Sequence, residues 1–182
     1  MEKILITGTG RCGTTFLIKL FSFLDFNTGY NRDNYNLSIS SNCNSGMERS
    51  YKDNYYVLKS PFFMTNIENI VKDTSIKIKN IIIPIRDLKM SAKSRVKHGK
   101  LNGGLWNAND ELSQINFYKE ILANYIFIAT KYDINTIFID FDKMINDEIY
   151  LFNKLNHILN EKHIDLETFS RVYNEVSLIS KP

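Results

Sequence analysis

Gly8, Gly10 and Gly13 stand close together near the start of the chain, with Arg11, Cys12, Thr14 and Thr15 among and after them. These residue types hold an oxyanion. Glycines let the backbone approach a ligand and adopt dihedrals that other residues avoid. Placed before a helix, such a run turns several N–H groups toward one spot beside the positive end of the helix dipole. Two hydroxyls and a guanidinium add donors. The chemistry implied is the gripping of a phosphate-like group. The plain alternative is a ligand-free turn between strand and helix, which would need fewer glycines and no arginine.

Further along, other residues could join such a site. Lys59 follows the apolar stretch Tyr55-Tyr56-Val57-Leu58, and Arg86 follows Ile81-Ile82-Ile83-Pro84-Ile85. Ser94 lies eight residues after Arg86. An arginine suits bidentate binding of phosphate, and a serine hydroxyl adds one donor. His98, with its suitable pKa, and Asp33 carry side chains able to take a proton. Asp140 and Asp142 follow a β-branched run and could serve a magnesium ion or a structural end. His and Cys are too few and scattered for a zinc site.

The elements that must position these residues alternate. Lys3 to Thr7 reads as a short, central first strand, and the segment from the glycine loop to about Phe23 or Leu24 as a helix. Residues 25–55 are rich in Asn, Ser, Tyr and Gly without sustained period, an irregular excursion that is either functional or mobile. A second strand ends at Lys59-Ser60-Pro61, with a helix from Met64 to Lys72. Lys79 to Ile85 is a strand buried on both faces, with Pro84 implying an irregular end. Leu88 to Lys97 is helical, and His98 to Asn109 is a glycine-bearing loop around Trp106. Asp110 caps a long helix to about Tyr132, with Leu112, Ile115, Tyr118, Leu122, Tyr125, Ile126 and Ala129 on its apolar side. Thr136 to Ile139 is the last strand. Ile149 to Leu159 and Leu166 to Tyr173 are helices, and the final SLISKP is coil. This alternation predicts an α/β fold, a three-layer sandwich with a mainly parallel central sheet. Ligands of such sheets bind at the carboxyl ends of strands, where the glycine loop, Lys59 and Arg86 all fall.

Bulk properties bound the answer. The chain has 182 residues, 43% hydrophobic and 24% charged, which suits one globular domain spanning 1–182. No apolar run is long enough to span a bilayer, and the first one leads directly into the loop, unlike a signal peptide. The two cysteines, Cys12 and Cys43, read as free thiols in a reducing, cytoplasmic setting. A net charge of +3 does not argue for a nucleic-acid partner.

Gly8-x-x-x-x-Gly13 matches the first part of a Walker A loop, but Thr14 stands where that motif needs lysine. Gly10-Arg11-Cys12-Gly13-Thr14-Thr15 resembles instead the G-x-R-S-G-T-T loop of the sulfotransferases that use 3′-phosphoadenosine 5′-phosphosulfate (PAPS), with Cys12 in place of serine. Arg86-Asp87 and Ser94 resemble that family's segment for the nucleotide 3′-phosphate, although Leu88 replaces its usual proline or glycine. Lys59-Ser60-Pro61-Phe62 resembles its strand-end lysine motif. Pro61 occupies the place of the histidine base of the cytosolic branch, so the likeness is to the tyrosylprotein and bacterial branches, where a loop glutamate serves. Asp140-Phe141-Asp142 resembles a structural segment near the family's last strand.

The resemblance runs to about Leu159 and implies a P-loop NTPase-like fold and sulfuryl transfer from PAPS to an acceptor hydroxyl or amine. Adenosine 3′,5′-bisphosphate would be the product. In these terms Gly10, Arg11, Cys12, Gly13, Thr14, Thr15, Arg86 and Ser94 bind the nucleotide. Lys59 and Arg11 stabilise the transferred group, Glu48 is the base with His98 next, and no metal takes part. The acceptor would be a small molecule, carbohydrate or peptide, chosen by residues 25–55. Two other classes remain open. One is a P-loop nucleotide or small-molecule kinase with Asp140 on magnesium. The other is a non-catalytic nucleotide-binding module.

Overall fold

The computed structural model describes residues 2–39, 45–98 and 103–180. Four strands, β1 (Glu2–Ile6), β2 (Val57–Lys59), β3 (Lys77–Ile85) and β4 (Thr136–Asp140), form one sheet in the order β2-β1-β3-β4. Every pairing is parallel. Among the described residues eight α-helices accompany them: α1 (Thr14–Phe23), α2 (Phe62–Thr65), α3 (Ile67–Lys72), α4 (Leu88–Val96), α5 (Glu111–Lys131), α6 (Phe141–Asn146), α7 (Glu148–Leu159) and α8 (Leu166–Ser180).

Strand alternation builds two cores. Ile4, Ile6, Ile82, Ile137 and Ile139 join α1, α6, α7 and α8 on one face. Leu5, Leu58, Ile81 and Ile83 join α2, α3, α4 and α5 on the other. Burial on both faces explains why β1 and the centre of β3 are continuous apolar runs. The expected α/β sandwich with a parallel sheet is thus present. Among the described residues no helix is long and apolar enough to cross a membrane.

Chain direction sets the site. From β1 the chain crosses to β2 on one side, then returns past β1 to β3 on the other. The order therefore reverses between β1 and β3, and a crevice opens at their carboxyl ends. The glycine loop leaves one wall of that crevice and Arg86 the other.

Several boundaries differ from expectation. The helix expected over Met64 to Lys72 is two short helices joined at Asn66, whose φ of −108° and ψ of 13° break the α geometry. Pro84 lies inside β3 without harm. The Ile82 carbonyl accepts from Thr7 N, so by the two-residue alternation Pro84 also turns its peptide toward β1, which has already ended. The ladder irregularity lies instead at the other end of β3, opposite Lys3 and Ile4. On α5 the buried face is Gln114, Tyr118, Ile121, Tyr125 and Ile128, whereas Leu112 is 68% exposed and Ile126 also faces solvent. The capping of this helix is as expected: Asp110 and Ser113 satisfy each other's backbone N–H groups in a capping box. The SLIS of the carboxyl-terminal segment is helical, because α8 continues to Ser180 and buries Val176 against the α1 face.

Residues 25–55 hold a 3-10 turn at Tyr35–Ser38 and one antiparallel bridge between Ile39 and Gly46. Asn27 O accepts from the N–H groups of Tyr56 and Val57. The Arg49 guanidinium lies 4.4 Å from the Tyr30 ring centroid and 4.9 Å from that of Tyr55, and donates to Gly29 O. A cation between two ring faces is a favourable contact, and it ties the two ends of the excursion together. Cys43 lies outside the described residues.

Candidate functional site

The loop after β1 takes the backbone shape its glycines allow. Gly10 has φ of 82° and Gly13, the N-cap of α1, has φ of 89°. Arg11 between them also has a positive φ, 57°. Successive residues in this region make a concavity of N–H groups at the start of a helix. Both glycines are also closely packed. A Cβ on Gly10 would lie 2.2 Å from Arg95 Nη2, and one on Gly13 would lie 2.4 Å from the Met144 methyl. Thr14 is buried and Thr15 half-buried at the first turn of α1. Cys12 is a buried free thiol. Burial pushes it up, partly opposed by the Gly10 backbone, the Thr9 hydroxyl and the charge of Lys59.

Lys59, at the carboxyl end of β2, is also buried. Its Nζ donates to Gly46 O at 2.9 Å and to Glu48 Oε1 at 2.5 Å. The Arg49 N–H donates to Lys59 O, so the Glu48 segment runs along the end of β2. Glu48 itself remains 40% exposed and lines a cleft of about 450 Å³ with Tyr51, Ser60, Phe62 and Phe63. The carboxylate and the ammonium, eleven residues apart in sequence, meet where β1 delivers the glycine loop.

Arg86 closes the other wall. Its Nη1 donates to Arg11 O at 3.1 Å, and its guanidinium lies 4.5 Å from the Phe141 ring centroid. Phe141 also packs on Gly13. Asp140 caps α6 by accepting from Lys143 N at 2.9 Å, so the Asp-Phe-Asp segment here builds a helix start and supplies a ring for Arg86. Asp87 caps α4 through Met90 N. Ser94 is half-buried on α4, one residue before Arg95.

Of the other candidate bases, His98 follows α4 within the field of Arg11. Burial first, then Arg11 and Lys97, hold its imidazole below the ordinary 6.5. Asp33 is exposed in a turn built by Asn31 and Asn34, next to the Arg32–Glu175 ion pair on α8. It is not brought to the loop by any hydrogen bond or ion pair among the described residues.

Arg95 belongs to none of the sequence motifs. This residue is only 7% exposed. Its Nε donates to Tyr118 Oη at 2.6 Å, and its Nη1 to Gly104 O at 2.6 Å and Gly103 O at 3.2 Å. The Trp106 ring lies 5.4 Å away, and Gln114 clamps Trp106 by bonding both its N–H and its carbonyl. Helical spacing carried the signal: Ser91, Ala92 and Arg95 form the buried face of α4. Phe141 and Tyr118 were likewise legible only as core aromatics.

The fold thus brings a glycine loop, Arg11 and Arg86 together at the switch point of a parallel sheet, flanked by a lysine–glutamate pair. Comparison of the chain with family models, with curated proteins and with solved structures finds no match.

Proposed function

We propose that this protein is a PAPS-dependent sulfotransferase with a P-loop-like fold. The observation that carries the reading is the contact of Glu48 with Lys59 at the carboxyl edge of the sheet. A base and a cation meet there beside a glycine loop whose motif resembles that of the family. The glycine loop and Arg11 would hold the 5′-phosphosulfate, and Arg86 with Ser94 the 3′-phosphate. The acceptor oxygen or nitrogen attacks sulfur, the bond from sulfur to the bridging phosphate oxygen breaks, and Glu48 takes the acceptor proton. Lys59 and the loop N–H groups stabilise the charge that develops on the leaving oxygen. The cleft beside Glu48 would receive a small-molecule, carbohydrate or peptide acceptor. The magnesium kinase reading is less well supported, because Asp140 is engaged in capping α6 and position 14 is threonine.

Calorimetry tests the nucleotide. Adenosine 3′,5′-bisphosphate should bind about ten- to a hundred-fold more tightly than AMP, since each charge-assisted hydrogen bond contributes roughly 1.5–3 kcal/mol. Equal affinities would overturn the assignment. Mass spectrometry of acceptors incubated with PAPS then separates an enzyme, which adds a sulfuryl group, from a binding module, which does not. Magnesium-dependent transfer from ATP would favour the kinase.

A further inference from the structure

Among the described residues, neither Arg95 nor Arg86 has a carboxylate partner within 4.0 Å, although seven other ion pairs form. For Arg86, half-exposed at the crevice wall, solvent suffices. Arg95 is nine-tenths buried. Burying a guanidinium is unfavourable unless its donors are satisfied and its charge balanced. The protein satisfies Nε and Nη1 with the Tyr118 hydroxyl and two carbonyls, all neutral. Nη2 makes no hydrogen bond among the described residues and keeps some access to solvent, and it is this nitrogen that lies against Gly10.

Two features argue that the arrangement serves a ligand. The first is rigidity. Tyr118 is fully buried, and Gln114, one helical turn before it on α5, is equally buried and fixes Trp106 against the guanidinium. A planar group held this way keeps its direction at little further entropic cost when it donates. The second is electrostatic. Arg95, Arg11 and the loop cysteine all act on Tyr118, so two guanidiniums share one neighbourhood under the loop.

We propose that Arg95 is a further anion-binding residue of the glycine loop, donating through Nη2 to a phosphate- or sulfate-type oxyanion held at Gly10. It would supply there a fixed charge that Ser94, an uncharged neighbour, does not. The proposal rests on the oxyanion-cradle part of the functional reading and not on the transfer chemistry.

The test uses the full chain and inorganic pyrophosphate as probe, with thermal unfolding and calorimetry as readouts. Pyrophosphate should raise the melting temperature of the parent, as any ligand of the folded state does. Arg95→Gln should lower pyrophosphate affinity about ten- to a hundred-fold, the loss of one or two charge-assisted bonds. Arg95→Lys should recover part of that affinity, because it keeps the charge and loses the fork. Ile128→Ala controls for folding: it opens the core ten residues beyond Tyr118 on α5, so it should reduce stability while leaving pyrophosphate affinity within a few-fold of the parent. A purely structural arginine predicts the reverse: Arg95→Gln would melt lower yet keep the full pyrophosphate-dependent rise. That result overturns the proposal, as would a parent that shows no rise. Should Arg95→Gln not fold, Arg95→Lys against the parent decides: unchanged affinity overturns, a several-fold loss supports. Adenosine bisphosphate and AMP run in parallel keep the two readings apart. Arg95-dependent pyrophosphate binding without preference for the bisphosphate sinks the sulfotransferase and leaves this subsite standing. Preference for the bisphosphate with no dependence on Arg95 does the opposite.

Discussion

Glu48→Gln is the sharpest perturbation of the proposed chemistry. The amide keeps the size of the carboxylate and can still accept from Lys59, but it cannot take a proton from an acceptor at neutral pH. A positioned base contributes about a hundred- to ten-thousand-fold in rate, so turnover should fall by that order. The structural cost is smaller. A hydrogen bond between charged groups is worth about 1.5–3 kcal/mol when shielded. Glu48 is substantially exposed, and Lys59 keeps its bond to Gly46 O, so the loss should be about 1 kcal/mol. For a chain of this size that lowers the melting temperature by about 2–4 °C. Affinity for adenosine 3′,5′-bisphosphate should change little, because Glu48 is not among the groups assigned to the nucleotide. The assay pairs a radiolabelled PAPS transfer measurement with calorimetry of the bisphosphate. Unchanged turnover would show that another group takes the proton. A collapse of nucleotide affinity alongside turnover would show that Glu48 shapes the loop instead of serving as a base.

Gly10→Ala should destabilise the fold by about 2–5 kcal/mol, combining left-handed strain with overlap against Arg95; a loss below about 0.5 kcal/mol in urea unfolding would refute the close packing described. Arg11→Ala should weaken bisphosphate binding and turnover while near-native circular dichroism is kept, and an unfolded variant would assign Arg11 to stability. Arg86→Ala should cost the bisphosphate more affinity than AMP in calorimetry, and equal losses would remove Arg86 from the 3′-phosphate. For His98, the depressed pKa means that the unfolded chain takes up its proton first as pH falls below 6.5. Its contribution therefore vanishes well above pH 6.5 and lowers stability progressively below it. An anion beside Arg11 should move the His98 NMR titration midpoint back upward, and a midpoint that ignores bisphosphate would place the ligand elsewhere.

Much of the scaffold was legible because it is written in local patterns. The run Ile81-Ile82-Ile83 could only be a strand covered on both faces, and Asp110 before a long amphipathic segment announced the start of α5. The glycine loop was legible because positive φ has few residue solutions. What stayed hidden was decided by partners distant in sequence. The start of α5 differed because Leu112 faces solvent in the folded chain, a fact that period alone does not carry. α8 continued past Tyr173 because Val176 found a place against α1. Arg95 looked like one more helix-surface cation until Tyr118 and Gly104, supplied by later segments, gave it a buried place. The Glu48–Lys59 contact was anticipated only through a family likeness, since no periodicity predicts where a loop carboxylate will dock.

The pinned excursion between β1 and β2 has a consequence for how such a protein changes over time. Its first part is fastened where Asn27 O receives Tyr56 N and Val57 N, and its last part where Arg49 N meets Lys59 O and the Arg49 guanidinium lies between Tyr30 and Tyr55. Chain added or removed between these two fastenings leaves Glu48 where it is. Doubling the length of a loop costs only about 0.6 kcal/mol in closure entropy. The sheet, the glycine loop and the lysine–glutamate pair can therefore stay constant while the loop wall beside them is rewritten, and under the proposed transfer chemistry descendants of one such scaffold would diverge in their acceptor while keeping one mechanism.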